Sequence, residues 1–268
     1  MLPFRIQEAT QAKVPIIVSI PHCGVLFPEE IAEEYKPNLI SKPDDTDWFV
    51  DKLYDFVPAM GITMITAVNS RWVIDLNRDR NSKPLYTDGR IITALCPTTT
   101  FLGEPIYRDE RSFVSENEVE RRYVNYYKPY HDKIQSLLNE RIKEFGQVLL
   151  WDCHSIRQIV PTIQSAKFPD MILGDSDEKS AAKKLIEAAH DSLSSSDYSL
   201  NHNHPFKGGT ITRTFGKPEI NQHALQLEMT KVNYMNDEET AYDHLRSEKM
   251  KKLLSQTFQN LISVLLNE

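Results

Sequence analysis

The chain is 268 residues long, 40% hydrophobic and 26% charged, with a formal net charge of −7. That length and balance suit one α/β domain with a sizeable core, spanning residues 1–268. The acidic excess argues against a nucleic-acid partner, which needs a basic face.

Cys23, Cys96 and Cys153 are far apart and form no Cys-x-x-Cys pair, so neither a disulfide framework nor a zinc ribbon is expected. No apolar run approaches the ~20 residues of a membrane span, and Met1-Leu2-Pro3-Phe4-Arg5 lacks the pattern of a secretory signal. A cytoplasmic protein that does not touch a membrane is the expectation.

In chain order, Val14–Ile20 is nearly all apolar and β-branched and predicts a central strand buried on both faces. Pro28 at a first helical position predicts a short acidic helix to Tyr35. Trp48, Phe49, Leu53, Tyr54 and Val57 give one apolar helical face behind the acidic cluster Asp44-Asp45-Thr46-Asp47. Ile62–Val68 and Trp72–Leu76 both read as strands, joined by a hairpin or sharp bend. From Asp79 to Ser115 the pattern is irregular, as in a cover draped over a site.

Ser115 and Glu118 fit a capping box. The helix they open should run to Phe145, with Gly146 as its C-cap, a kink at Pro129 and an apolar, tyrosine-rich face. Val148–Trp151 is a buried strand whose tip carries Asp152, Cys153, His154 and Ser155. Ile159–Ile163 and Met171–Leu173 are short strand candidates, Ala181–Leu193 a helix, Gly208–Arg213 a β-rich segment, and Ala224–Glu228 a further strand. A long helix closes the chain from about Glu238 to Leu266. Strands alternating with helices predict an α/β fold with a mixed sheet flanked by helices.

The chemistry is expected where strands end, because ligands of open α/β sheets sit beyond the carboxyl ends of the strands. Two apolar runs end in a histidine, His22 and His154. With a carboxylate from Asp44–Asp47 they make the His, His, carboxylate set of a catalytic zinc site. Asp47 is the choice as ligand, although spacing does not separate it from Asp45. Buried, hydrogen-bonded histidines and a capping aspartate are the plainer alternative.

Glu228 closes an apolar strand, where a carboxylate is costly unless paired or used. Beside a metal it suits a general base that then acts as acid. Arg71, Arg78, Arg80 and Arg213 stand in an otherwise acidic chain, and arginine forks match a dicarboxylate substrate. Asp75 and Asp79 are alternative partners for them. No nucleophile elbow surrounds Ser19 or Ser155, which disfavours a serine hydrolase.

Ser19-Ile20-Pro21-His22-Cys23-Gly24, Asp45-Thr46-Asp47-Trp48, the run Ser70 to Arg78, Leu95 to Thr100, Trp151 to Arg157, Phe206-Lys207-Gly208-Gly209 and Gln226-Leu227-Glu228 together resemble the N-formylglutamate amidohydrolase family. The resemblance holds in order over nearly the whole chain. It implies a phosphorylase/hydrolase-like fold akin to zinc carboxypeptidases, and a Zn²⁺ cofactor. It also implies hydrolysis of N-formyl-L-glutamate to glutamate and formate in histidine degradation.

By the same resemblance His22 and His154 are the first and last metal ligands, Glu228 the catalytic glutamate, and Asn77-Arg78 a carboxylate-binding pair. One departure stands out. The wider superfamily's first motif is His-x-x-Glu, but Val25 follows His22 at that distance, so an outside carboxylate is required.

The expected mechanism has zinc on His22, Asp47 and His154, Glu228 as base and acid, Arg71 at the oxyanion, and Asn77, Arg78, Arg157 and Arg213 around the substrate. The alternatives are an amidase for another N-acyl amino acid or small peptide, and a non-catalytic dicarboxylate-binding protein.

Overall fold

A computed structural model describes residues 2–81 and 93–267. Seven strands form one mixed sheet: β1 (Phe4–Gln7), β2 (Ile16–Ile20), β3 (Thr63–Ala67), β4 (Val148–Ile156), β5 (Met171–Gly174), β6 (Leu200–His202) and β7 (Gln222–Thr230). Their order is β1-β3-β2-β4-β7-β5-β6. The centre β3-β2-β4-β7 is parallel, whereas β1 and β5 run antiparallel to their inner neighbours.

The helices are α1 (Glu29–Ala32), α2 (Pro37–Ile40), α3 (Val50–Leu53), α4 (Glu116–Arg122), α5 (Lys128–Phe145), α6 (Lys183–Ser194), α7 (Thr210–Phe215) and α8 (His244–Leu266). None of the described helices is long and apolar enough to cross a membrane.

Parallel central strands are covered on both faces, which is why all nine residues of β4 are buried. Side chains alternate across the sheet. Val18, Leu149, Trp151, Cys153, Leu225 and Leu227 pack with α6 and α8 residues such as Leu185, Leu254 and Phe258. Ile17, Val148, Leu150 and Ala224 face the other way, against Ile134, Leu137 and Leu138 of α5 and Ile211 and Phe215 of α7. Asp152 and His154 share the parity of Leu150, and Glu228 that of Ala224. The sheet face covered by α5 and α7 therefore turns polar toward the carboxyl ends of β2, β4 and β7.

Several expectations hold. Ser115 Oγ accepts from Glu118 N, and Gly146 caps α5 at φ 77°. The helix does not simply kink at Pro129. Tyr123–Tyr127 forms a π turn between α4 and α5, which accommodates the N–H that proline lacks.

Others do not hold. The helix expected behind Asp47 is only the single turn α3, because Phe49 takes a left-handed φ of 63° and the chain turns again at Val57–Met60. Trp72–Leu76 is buried but is not a strand. Its backbone bends to bond Val73 N to Ser70 O (2.9 Å), Asp75 N to Leu95 O (2.8 Å) and Arg78 N to Asp75 O (3.2 Å). Ile159–Ile163 is a turn closed by the bridge Val160–Gln164.

The segment Gly208–Arg213 enters helix α7 rather than a strand. The expected cover from Asp79 to Ser115 falls partly outside the described residues. Its later part is irregular and is anchored by buried Arg122, which donates to Tyr35 Oη and Tyr107 Oη (2.9 Å each).

Candidate active site

The tips of β2, β4 and β7 carry the expected groups to one place. His22 lies two residues past β2, His154 sits within β4, and Glu228 is its register partner on β7. Asp47 reaches the two histidines from the turn before α3, its backbone N donating to the His22 carbonyl (3.0 Å). Asp47 Oδ2 is 3.3 Å from His154 Nδ1 and 3.7 Å from His22 Nδ1. One ligand atom from each of these three residues lies within 4.8 Å of the others, and all three residues are buried.

The far side of each imidazole is backed by a second aspartate. His22 Nε2 is 2.8 Å from Asp75 Oδ1, and His154 Nε2 is 3.1 Å from Asp152 Oδ2. A ring that donates Nε2–H to a carboxylate presents Nδ1 as an unprotonated acceptor, the arrangement that metal-binding histidines use. Nδ1 of His22 is buried and makes no hydrogen bond among the described residues. That orphaned acceptor, aimed at Asp47 and His154, fits a cation held by the three residues.

The alternative ligand Asp45 is committed elsewhere. It accepts from Trp72 Nε1 (2.8 Å) and from Phe101 N (3.1 Å), so it fastens the cover.

The electrostatics are those of a site built around positive charge. Burial opposes ionisation of Asp47, but the adjoining imidazoles of His154 and His22 outweigh it and hold the carboxyl well below the usual range. Burial likewise works against Asp75, and Arg71 with His22 keeps it ionised. Glu228 behaves in the opposite way. Burial, reinforced by Asp47 and Asp152, pushes its carboxyl up to about 8 against the pull of His154 and Arg71.

The arginines divide. Arg71 is buried, donates to Asp75 Oδ2 at 2.6 Å and lies over the Phe101 ring at 4.6 Å. Arg78 donates to Thr93 Oγ1 (3.0 Å), with Nε 3.6 Å from Asp75. Arg80 is paired with Glu120 on the surface (2.9 Å). Arg157 is bound by Asp44 and Glu239. Arg213 is exposed on α7, its Nε on the Gly208 carbonyl. Asn77 is tied in: Oδ1 accepts from Ile211 N (2.8 Å), and Nδ2 is 3.0 Å from His154 Nε2.

Ser19 bonds Tyr130 Oη (3.0 Å), in keeping with its dismissal as a nucleophile. Sequence reasoning treated Asp75 only as an arginine partner and overlooked Lys231. The signal for Asp75 was its i+4 spacing from Arg71, which marked a pair but not the histidine it also serves.

The N-formylglutamate amidohydrolase family profile matches residues 14–235. N-formylglutamate deformylase of Pseudomonas putida is 35% identical over 256 residues, 94% of each chain. The protein of the same description from Pseudomonas aeruginosa is 34% identical over 258 residues, again 94% of each. The crystal structure of N-formylglutamate amidohydrolase from Ralstonia eutropha JMP134 is similar, with a TM-score of 0.78 and 26% identity over 97% of this chain and 96% of that one. The chain belongs to the N-formylglutamate amidohydrolase family.

Proposed function

We propose that this protein hydrolyses the amide of N-formyl-L-glutamate to L-glutamate and formate, with a divalent ion, zinc, held by His22, Asp47 and His154. The observation that carries the proposal is the backed pair of histidines around Asp47, with Glu228 as the register partner of His154. The reaction is an expected step of histidine degradation.

A divalent ion in such a site supplies Lewis acidity, acidifying water and polarising a carbonyl oxygen. The protein's own groups do the rest. Glu228 takes a proton as water adds to the formyl carbon, and returns it to nitrogen as the C–N bond breaks. One water is consumed, and formate and glutamate leave.

Burial alone would keep Glu228 protonated near neutrality. A cation beside it favours the carboxylate and makes it available as a base. Arg71, fixed by Asp75 and by the Phe101 ring, offers positive charge to the developing oxyanion. Arg78 and Arg213 serve the substrate carboxylates, and Asn77 steadies the wall between α7 and His154.

The test is L-glutamate release from N-formyl-, N-acetyl- and N-succinyl-L-glutamate by metal-replete protein. The proposal expects the formyl compound to lead by at least about tenfold in kcat/KM, the order of discrimination a small pocket provides. Preference for a larger acyl group would make the protein a related amidase, and glutamate binding without turnover would make it a dicarboxylate-binding protein.

A further inference from the structure

Asp47 differs from its two partners in how it is held. His154 lies within the buried strand β4 and His22 follows the buried strand β2 by two residues, whereas Asp47 lies in an irregular turn, far in sequence from any strand end, just before the left-handed residue Phe49. A carboxylate delivered by a loop holds a metal only if the loop itself is fixed.

Two cations grip that loop from the strand ends behind it. Arg157 follows β4 directly; its Nε donates to Asp44 Oδ2 (3.0 Å) and its Nη2 to Asp44 Oδ1. Its Nη1 donates to Glu239 Oε2 (3.0 Å), whose other oxygen accepts from Gln158 N (2.6 Å). Lys231 follows β7, is only 3% exposed, and donates to the Asp44 main-chain carbonyl (3.3 Å). Asp44 is thus held through side chain and backbone by the strands that carry His154 and Glu228.

We propose that Arg157 and Lys231 are positioning residues that clamp Asp44 and thereby set Asp47 at the spacing a divalent ion requires. This replaces the expectation that Arg157 binds substrate. Its Nε, Nη1 and Nη2 already serve carboxylates of the protein, so a substrate carboxylate would compete with Asp44 and Glu239. The inference rests on reading His22, Asp47 and His154 as a metal site.

The experiment measures zinc affinity by competition with a chromophoric chelator, together with KM for N-formyl-L-glutamate at saturating zinc. The proteins are wild type, Arg157→Ala, Arg157→Lys, Asp44→Ala, Lys231→Met and the Arg157→Ala/Asp44→Ala double variant. Arg157→Ala and Asp44→Ala should each weaken zinc binding by roughly 10- to 100-fold, as loss of outer-shell support does. The double variant should be no worse than either single one. Arg157→Lys should recover only part, because an ammonium cannot make the fork, and Lys231→Met should lose less than Arg157→Ala. KM at saturating zinc should stay near the wild-type value.

Unchanged zinc affinity with a raised KM in Arg157→Ala would make it a substrate ligand and overturn the clamp, as would additive losses in the double variant. A wild type that takes up no zinc overturns the metal reading itself, and the clamp with it. If Arg157→Ala gives no cooperative melt, Arg157→Lys decides by the same comparison.

Discussion

Asp45 and Asp47 stand two residues apart in one turn and have opposite partners. Asp47 faces two imidazoles, whereas Asp45 takes an indole N–H and a backbone N–H from the cover. Asp47→Asn should therefore remove zinc. Asp45→Asn should keep zinc and cost roughly 1–3 kcal/mol by weakening buried hydrogen bonds. Zinc content and urea denaturation check both, and equal zinc loss in the two variants would contradict the assignment.

Glu228→Gln should retain zinc and lower kcat by roughly 10²- to 10⁴-fold, the range for loss of a general base. Metal analysis beside steady-state kinetics separates that from loss of the ion. Of these residues, His22, His154 and Glu228 were legible because each ends an apolar run. Asp47 was legible only as one of a cluster, since a turn has no periodicity to orient its side chains. Asp75 was hidden because its second partner, His22, is 53 positions away in sequence.

Helix α7 shows where local pattern misleads. Gly-Gly-Thr-Ile-Thr-Arg-Thr is rich in β-branched residues and favours a strand by propensity. Tertiary bonds override it. Gly208 turns the chain at φ 111°, and Gly209 N donates to Gln226 Oε1 (2.8 Å). Ile211 N donates to Asn77 Oδ1 (2.8 Å), and Thr212 Oγ1 to Asp152 Oδ2 (3.3 Å). The first turn of this helix is stitched to the residues that orient His154, and no propensity scale contains those partners.

The same packing leaves no room at Gly209, where a Cβ would come within 2.2 Å of Asn77 Nδ2. Gly209→Ala should displace Asn77, cost about 1–3 kcal/mol as overpacking does, and lower kcat/KM. A variant as stable and active as wild type in denaturation and kinetic assays would show that Asn77 is not a rigid wall.

Across the whole molecule, the parallel centre of the sheet was readable from continuous apolar runs, and the polar tips located the site. The edges were not. β1 and β6 are short and only partly buried, so they lack the apolar signal that marks β2 and β4.

The buried face also predicts an acid limit to stability. Burial lowers His131 from its ordinary 6.5 to about 4, although its bond to the Leu76 carbonyl (2.8 Å) opposes this. The unfolded chain binds this proton first, so the His131 contribution to stability should fall as pH drops from 6.5 to about 4, by at most about 3 kcal/mol. Urea midpoints across that range should show the loss, and His131→Gln should flatten this part of the profile.

The central claim, that this fold gathers His22, Asp47 and His154 to hold the ion that hydrolysis needs, is tested most directly by titrating chelator-stripped protein with zinc while following formate release from N-formyl-L-glutamate. Activity should be absent at the start, rise in proportion to added zinc and level off at about one equivalent per chain, as a single site requires. Asp47→Asn should show no such rise. Full activity before any zinc is added, or an unchanged titration in Asp47→Asn, would contradict the account.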